Sequence, residues 1–352
     1  MILKFRHIPL LILFIGALGC TGKKSSPDAP QPIEITEDLT PLRFDRFDLR
    51  ISRLPVPVPA SEVGKLRSEY GKFFELWCTQ LAAILPPGDT APSNQEIAYN
   101  LSQYLGDKYI REVLVECEKK FDNLEEIETE LTTVMKRYEK GFPGATAPRF
   151  ICYTSPFSSN VMTTDSLLGL GLHFYLGQEY KYYPSLELPL YMVKKFRQEY
   201  IVNDLIRGWL DSEYLDDSAQ INCLSQMIYQ GKVLYTMDVL SPETPDTIKT
   251  GYPPSQLAWA EAHEKELWTF FIEQKLLYNT NPKIYLKYIH DGNTTSGFPK
   301  EAPARLGPFI GWKIVRAYMK NRPETTLKAL FEARNAQEIL NQSGYKPPKK
   351  NA

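Results

Sequence analysis

The sequence has few of the residue types on which metal and redox sites depend. Only four of its 352 residues are histidine and five are cysteine, and no two cysteines have Cys-x-x-Cys spacing. His173, His263 and His290 lie far apart along the chain. His263 begins a His-Glu-x-x sequence, but Leu267 stands where a second imidazole would be needed one helical turn later. The sequence therefore predicts no metal and no cofactor.

Local motifs for nucleophilic catalysis are also missing. There is no Gly-x-Ser-x-Gly elbow and no glycine-rich phosphate loop. Acidic runs at 125–130 and 211–217 could supply paired carboxylates, but bunched charges are typical of solvated helix faces. The sequence predicts no catalytic residue and favours a protein that is not an enzyme. A hydrolase of peptide or glycan, with residues assembled from distant segments, stays open as the alternative, as does a wall-binding module.

Positive charge is not in excess. Lys and Arg number 41 against 42 Asp and Glu, so the sequence offers no basic surface for nucleic acid. Hydrophobic residues make up 43% of the chain, which is enough for a sizeable core. Long apolar runs are missing as well: the stretch from Ile8 to Leu18 contains Pro9 and falls short of the roughly 20 residues that span a bilayer.

That short apolar stretch has the features of a secretory signal. Lys4 and Arg6 precede it, and small residues follow it directly before Cys20. This order resembles the lipobox of bacterial lipoproteins, which implies a signal peptide over 1–19 and lipid on Cys20. A chance cysteine after an ordinary signal is the other reading. The resemblance implies three acyl chains, including a palmitate-like amide-linked chain, and therefore a permanent membrane anchor.

The lipobox also has implications for location. Residue 21 is Thr rather than Asp, so the retention signal of enteric bacteria is missing and the outer membrane is favoured over the inner membrane. The stretch 20–41 is rich in Lys, Ser, Asp and Pro, which predicts a flexible tether. A single globular domain is then expected over 42–352.

The rest of the chain predicts a mainly helical fold with a small β-sheet, an α+β protein. Apolar residues recur at helical spacing from Val63 to Leu81, and Ser93 with Glu96 forms a capping box. Further helices are predicted at 107–120, 124–140, 188–213, 219–238, 255–278, 282–289, 306–320 and 324–341. Short β-prone segments between 149 and 172 predict about three strands.

Four cysteines follow Cys20, in a compartment where disulfides can persist. They are Cys78, Cys117, Cys152 and Cys223. Three of them fall within apolar helical patterns, so buried free thiols are favoured over disulfides. Their redox state stays open at this point.

Several phrases in the second half occur together in a fixed order. They are Gly171-Leu-His-Phe-Tyr-Leu-Gly177, Met227-Ile-Tyr-Gln-Gly231, Lys275-Leu-Leu-Tyr278 after Trp268, Gly307-Pro-Phe-Ile-Gly311 and Ser343-Gly-Tyr-Lys-Pro347. The ordered set resembles the gliding motility lipoprotein GldB family of Bacteroidetes. The resemblance implies a periplasm-facing cell-envelope lipoprotein that takes part in gliding and its secretion machinery through envelope protein partners, without established catalysis.

The order of a sheet, a long helix and a helix with a Gln-Gly step also resembles zinc peptidases of the gluzincin kind. In those enzymes His-Glu-x-x-His on one helix and a glutamate on a later helix bind the metal. The counterpart here reads Asn203-Asp204-Leu-Ile-Arg207, with Gln230 on the later helix. Neutral amides and an arginine cannot bind Zn²⁺. The resemblance therefore implies a degenerate zincin-like architecture with a vestigial site.

Overall fold

The structure is a computed structural model that describes residues 30–86 and 92–348. Helices form most of it, as the sequence predicts. The first half contains α1 (Phe47–Ser52), α2 (Ala60–Tyr70), α3 (Lys72–Leu76), a π-helical turn (Trp77–Leu81), α4 (Asn94–Gly106), α5 (Lys108–Lys120) and α6 (Glu125–Gly141). No helix in the described ranges is long and apolar enough to cross a membrane.

The second half is built around longer helices. It contains α7 (Leu190–Val193), α8 (Ile201–Tyr214), α9 (Cys223–Leu240), α10 (Asp246–Thr250), α11 (Pro254–Ala262), α12 (Glu264–Glu273), α13 (Pro282–Tyr285), α14 (Leu306–Asn321), α15 (Leu327–Glu332) and α16 (Ala336–Ser343). Short 3₁₀ turns connect several of them.

A four-stranded mixed sheet lies between two layers of helices. Its strands are β1 (Asp45–Arg46), β2 (Arg149–Tyr153), β3 (Val161–Thr164) and β4 (Leu167–Gly171), in the spatial order β1-β2-β4-β3. β2 runs parallel to β1 and β4, with Ile151 opposite Asp45 and Gly169, whereas β3 and β4 form an antiparallel hairpin. The sequence does not predict the two-residue β1, because this strand is shorter than any periodic pattern.

Each face of the sheet covers its own hydrophobic core. Side chains alternate along β2, so Phe150 and Cys152 enter the larger core of α6, α8, α9 and α14. Ile151 and Tyr153 enter a smaller core, where Phe47 and Trp77 pack beneath α1–α4. The alternating side chains of β2 therefore contact both helical layers.

The larger core is organised by close contact between α9 and α14. An added Cβ on Gly311 would lie 1.8 Å from the carbonyl oxygen of Met227, and one on Gly231 would lie 2.3 Å from the carbonyl oxygen of Gly311. Both obstacles are backbone atoms, so only glycine allows the two helices to approach this closely. The close contact fixes Gln230, which precedes Gly231, against the start of α14.

Four predicted helices are shorter than the apolar pattern indicates. The helix predicted from the apolar pattern between Val63 and Leu81 is interrupted at Gly71, whose φ of +50° ends α2. The predicted 188–213 helix contains α7, a 3₁₀ turn (Gln198–Tyr200) and α8, with irregular backbone after Val193. The predicted 255–278 helix is divided at His263, and the predicted 324–341 helix is divided into α15 and α16. Apolar spacing detects buried faces but continues across such breaks.

The described part of the predicted tether, residues 30–41, has no helix or strand but is held against the domain. Arg137 on α6 donates through Nε to the carbonyl oxygen of Ile33 at 3.2 Å, and Lys140 pairs with Glu37 at 3.2 Å. Ile33 also packs on the larger core. These contacts fix the chain's approach to the domain along α6.

Two predictions about polar and thiol side chains have different outcomes. All four described cysteines are buried free thiols, which confirms the favoured reading. The acidic run at 125–130 is not wholly solvated, because Glu128 is only 7% exposed. Its carboxylate accepts from the backbone amide of Phe44 at 3.0 Å and pairs with Arg43. Glu128 therefore attaches the start of the domain to α6.

Candidate functional site

Cys20 and the signal peptide lie outside the described residues, so the candidate site described here is that of the globular domain. Asn203, Asp204 and Arg207 lie on α8, and Gln230 lies on α9. The structure brings Arg207 and Gln230 into direct contact: Arg207 Nη1 donates to Gln230 Oε1 at 3.1 Å. Arg207 Nη2 also donates to the carbonyl oxygen of Lys249 at 3.3 Å.

A second arginine completes this arrangement. Arg305 Nη2 donates to the same Gln230 Oε1 atom at 3.0 Å, although 75 residues separate the two in sequence. Arg305 immediately precedes α14 and has a φ of +57°, which is uncommon for a residue with a side chain. Nothing local in the sequence indicates this contact. We call Arg207, Gln230 and Arg305 the double-arginine site.

The double-arginine site contains two positive charges that no carboxylate contacts directly. Within the described ranges, neither Arg207 nor Arg305 has an ion-pair partner. Burial, followed by the charge of Arg305, lowers the pKa of Arg207 to about 10. Both residues remain partly exposed, so solvent still reaches them. Their shared acceptor is a neutral amide.

Carboxylates lie behind the arginines and have other partners. Asp204 Oδ2 accepts from the hydroxyl of Tyr175 at 2.9 Å, and Asn203 Nδ2 lies 3.2 Å from Asp204 Oδ1. Burial raises the pKa of Asp204 despite these bonds. Lys195 pairs with Asp291, and burial lowers the pKa of Lys195. Lys195 and Asp291 therefore form an ion pair, whereas Asp204 is held by neutral donors.

This set of donors does not fit a metal ion. Both guanidinium groups donate hydrogen bonds and carry positive charge, and Gln230 Oε1 already accepts from both. A divalent cation would meet electrostatic repulsion and only neutral amide oxygens. Nowhere else in the part of the chain that the structure describes do three His, Cys, Asp or Glu side chains gather in a possible metal site.

A large cleft lies near the double-arginine site. Ala304, which precedes Arg305, and Tyr252, which donates to the Arg305 carbonyl oxygen, line the cleft, whereas the three residues of the site are not among its lining residues. The cleft encloses about 1400 Å³, with α6 on one side and the segments around 191–200, 243–256 and 291–293 on the other. On the α6 wall, Glu125, Glu126 and Glu130 outnumber Arg137. The opposite wall carries both signs, and its charged residues are Lys194, Lys195, Arg197, Glu199, Glu243 and Asp291. The cleft exceeds the roughly 300–1000 Å³ of a typical small-molecule pocket. Its size and mixed charge suit an extended polar ligand.

The other histidine candidates are structural. His263 stacks on Trp259 with ring centroids 4.2 Å apart and contacts the Trp259 carbonyl at 2.8 Å. His173 Nε2 lies 3.1 Å from Ser155 Oγ, a distance suited to a nucleophile and its base. However, His173 is 0% and Ser155 2% exposed, so a substrate cannot reach the pair.

The tyrosine-rich loop at 178–189 mainly covers the protein interior. Tyr183 is buried, donates to the His173 carbonyl at 2.8 Å and packs against Phe196. Tyr182 bonds to Glu112 and packs edge-on against Tyr109. These contacts favour the packing role over a groove for ligands.

The comparisons with known proteins complete this description. The family described as "Gliding motility protein GldB" matches residues 26–347, nearly the whole chain. This chain belongs to the GldB family. Membership confirms the resemblance drawn from the ordered phrases and indicates a lipoprotein of the gliding machinery. No significant match was found among curated proteins or solved structures, so the likeness to gluzincin peptidases stays a prediction.

Proposed function

We propose that this member of the GldB family is an envelope lipoprotein, acylated on Cys20, that supports gliding and the associated secretion machinery by binding a protein partner rather than by catalysis. The lipid would hold it at a membrane, with the outer membrane favoured by Thr21. The globular domain would bind the partner in the cleft. Its scaffold would be a degenerate relative of zinc peptidases, in which the metal position is occupied by protein side chains.

The observation that carries this proposal is the double-arginine site. Arg207 and Gln230 hold the positions where the resemblance would place metal ligands, and Arg305 adds a further guanidinium. These groups recognise anionic or polar groups by hydrogen bonding, but they cannot activate water as a bound Zn²⁺ does. The nearby cleft, whose lining carries both acidic and basic side chains, has room for a polypeptide segment.

A hydrolase would require a desolvated carboxyl group on the cleft wall. Partial burial and neighbouring Glu243 raise the pKa of Glu130, whereas the hydrogen bond from Arg137 lowers that of Glu243. Both carboxylates are nevertheless exposed, and the Glu243 side chain keeps 72% of its surface accessible. Water screens both groups, so this pair supports a charged binding surface better than general acid catalysis.

The proposal is tested by placing a photo-crosslinking amino acid at Thr129, an exposed α6 residue in the cleft, in gliding cells. A matched variant carries it at Tyr99 on α4, which is 66% exposed and lies outside the cleft. We expect an envelope protein needed for gliding to crosslink to the Thr129 variant but not to the Tyr99 variant. Equal crosslinking from both positions, or none from Thr129, would contradict the proposal.

Anchoring is tested in the same cells with Cys20→Ala. We expect this variant to leave the membrane fraction or to remain unprocessed, and gliding to be lost, because the single lipid attachment point is removed. The parent chain provides the control. A Cys20→Ala chain that is processed and remains as tightly bound to membranes as the parent would refute the anchoring part of the proposal.

A further inference from the structure

The strongest unexplained feature of the domain is the number of unused hydrogen-bond donors at the double-arginine site. Each guanidinium has five N–H donors. Of the ten N–H donors of Arg207 and Arg305, three form the hydrogen bonds described above: two to Gln230 Oε1 and one to the Lys249 carbonyl oxygen. Charged donors that remain partly exposed without an ionic partner are well suited to bind an anion.

The backbone at Arg305 gives a second, independent observation. Its φ of +57° would cost nothing for glycine, but strains a residue with a Cβ. The Tyr252 hydroxyl, on a residue that is only 5% exposed, donates to the Arg305 carbonyl at 2.8 Å and helps to hold this conformation. The chain thus keeps a strained backbone at the residue that brings the second guanidinium to Gln230.

The surrounding charges limit what kind of anion fits. Asp204 and Asp211 lie close enough to Arg207 to influence its titration, and Asp291 neutralises Lys195. Asp204 and Asp211 would repel a doubly charged phosphate more than a singly charged group. A carboxylate is also planar, with two oxygens that match the fork of a guanidinium.

We infer that Arg207 and Arg305 together bind one carboxylate group of a partner molecule, beside Gln230 and next to the cleft. The inference rests on the proposed binding function and adds the chemical group that is recognised. The carboxylate would belong to a chain end or to an acidic side chain of a polypeptide. Gln230 positions the two guanidinium groups and leaves their outer donors free for the ligand.

The test is a calorimetric titration of the full chain in detergent. The probes are N-acetylglycine, its neutral amide N-acetylglycinamide, and inorganic phosphate. We expect N-acetylglycine to bind and the amide not to bind. Arg207→Met should weaken N-acetylglycine binding by at least about tenfold, because charge-assisted hydrogen bonds are lost. Arg53→Met, which removes an exposed arginine paired with Glu118, should change binding by less than about twofold.

Gln230→Glu keeps the test valid if Arg207→Met does not fold. The substitution preserves shape and places a carboxylate permanently between the guanidinium groups. We expect it to raise the unfolding temperature and to abolish N-acetylglycine binding. The inference is overturned if acid and amide bind equally, if neither binds, if Gln230→Glu binds N-acetylglycine like the parent, or if phosphate binds more tightly than N-acetylglycine. Motility and crosslinking do not enter this test, so its failure is separable from failure of the proposed function.

Discussion

The contact between α9 and α14 gives the sharpest prediction about stability. In Gly311→Ala the new Cβ would lie 1.8 Å from the carbonyl oxygen of Met227 and 2.5 Å from its carbonyl carbon. Contacts below about 3 Å are not tolerated, so the helices must separate by roughly 1 Å. Because both obstacles are backbone atoms, no change of side-chain rotamer relieves the clash.

The magnitude follows from two opposing terms. Alanine is favoured over glycine in a helix by about 1 kcal/mol. Overpacking of a well-packed core costs about 1–3 kcal/mol and occasionally more, and a gap of 0.5–1 Å forfeits a quarter to a half of each dispersion contact. The 1.8 Å clash lies at the severe end, so we expect Gly311→Ala to lower the free energy of unfolding by at least about 2 kcal/mol.

Urea denaturation of the full chain in detergent measures this change, and a second helical glycine provides the control. Gly106 is the last residue of α4, and a Cβ added there would meet no atom within 4 Å. Gly106→Ala should therefore be neutral or stabilising by up to about 1 kcal/mol. If Gly311→Ala unfolds at the same urea concentration as Gly106→Ala, the argument from close helix approach is wrong.

Two further predictions concern buried charge and pH. Asp238 is 3% exposed and pairs with buried Lys249 and Arg316, so Asp238→Ala should lower the free energy of unfolding by about 3–5 kcal/mol in urea denaturation. As the control, Glu324→Ala removes an exposed carboxylate and should lower the free energy of unfolding by less than about 1 kcal/mol. Equal losses in the two variants would contradict the prediction. Burial lowers the pKa of His173 from 6.5 to about 3. As the pH falls from 6.5 towards 3, His173 is protonated in the unfolded chain but not in the folded one, so the free energy of unfolding decreases. Relative to His173→Gln, the parent should lose about 2 kcal/mol between pH 7 and pH 5, and parallel stability curves over that interval would contradict this reasoning.

The sequence predicted the helix caps and helix bounds that depend on interactions between residues close together in the chain. Ser93 caps α4 by accepting from the Glu96 amide at 3.1 Å, as the capping box predicts. Helices predicted at 124–140 and 306–320 match α6 and α14 within one residue at each end. Hydrophobic spacing and capping act within a few residues of each other, so the chain itself displays them.

Features that depend on distant partners could not be predicted in this way. β1 exists because Asp45 and Arg46 pair with Ile151 and Cys152, about a hundred residues later. Glu128 is buried and accepts from the Phe44 amide, although Glu125, Glu126 and Glu130 of the same acidic run are exposed. Long-range pairing of this kind leaves no periodic pattern near either partner.

The candidate site was likewise predictable only in part from the sequence. The resemblance to peptidases singled out Arg207 and Gln230, and the structure brings them into contact. The sequence did not predict Arg305, because its contact with Gln230 requires a particular backbone conformation before α14 and the close approach of α9. Tertiary geometry, rather than residue type, makes two arginines into one site.

The fixed course of residues 30–41 has a consequence for how the domain would sit at a membrane. Ile33, which α6 holds in place, is the thirteenth residue after Cys20. At no more than about 3.5 Å per residue, the segment between Cys20 and Ile33 can span at most roughly 45 Å. With its lipid inserted as proposed, the domain would have its α6 flank confined near the bilayer, and the cleft, which shares that helix, would be presented to partners within reach of the membrane surface.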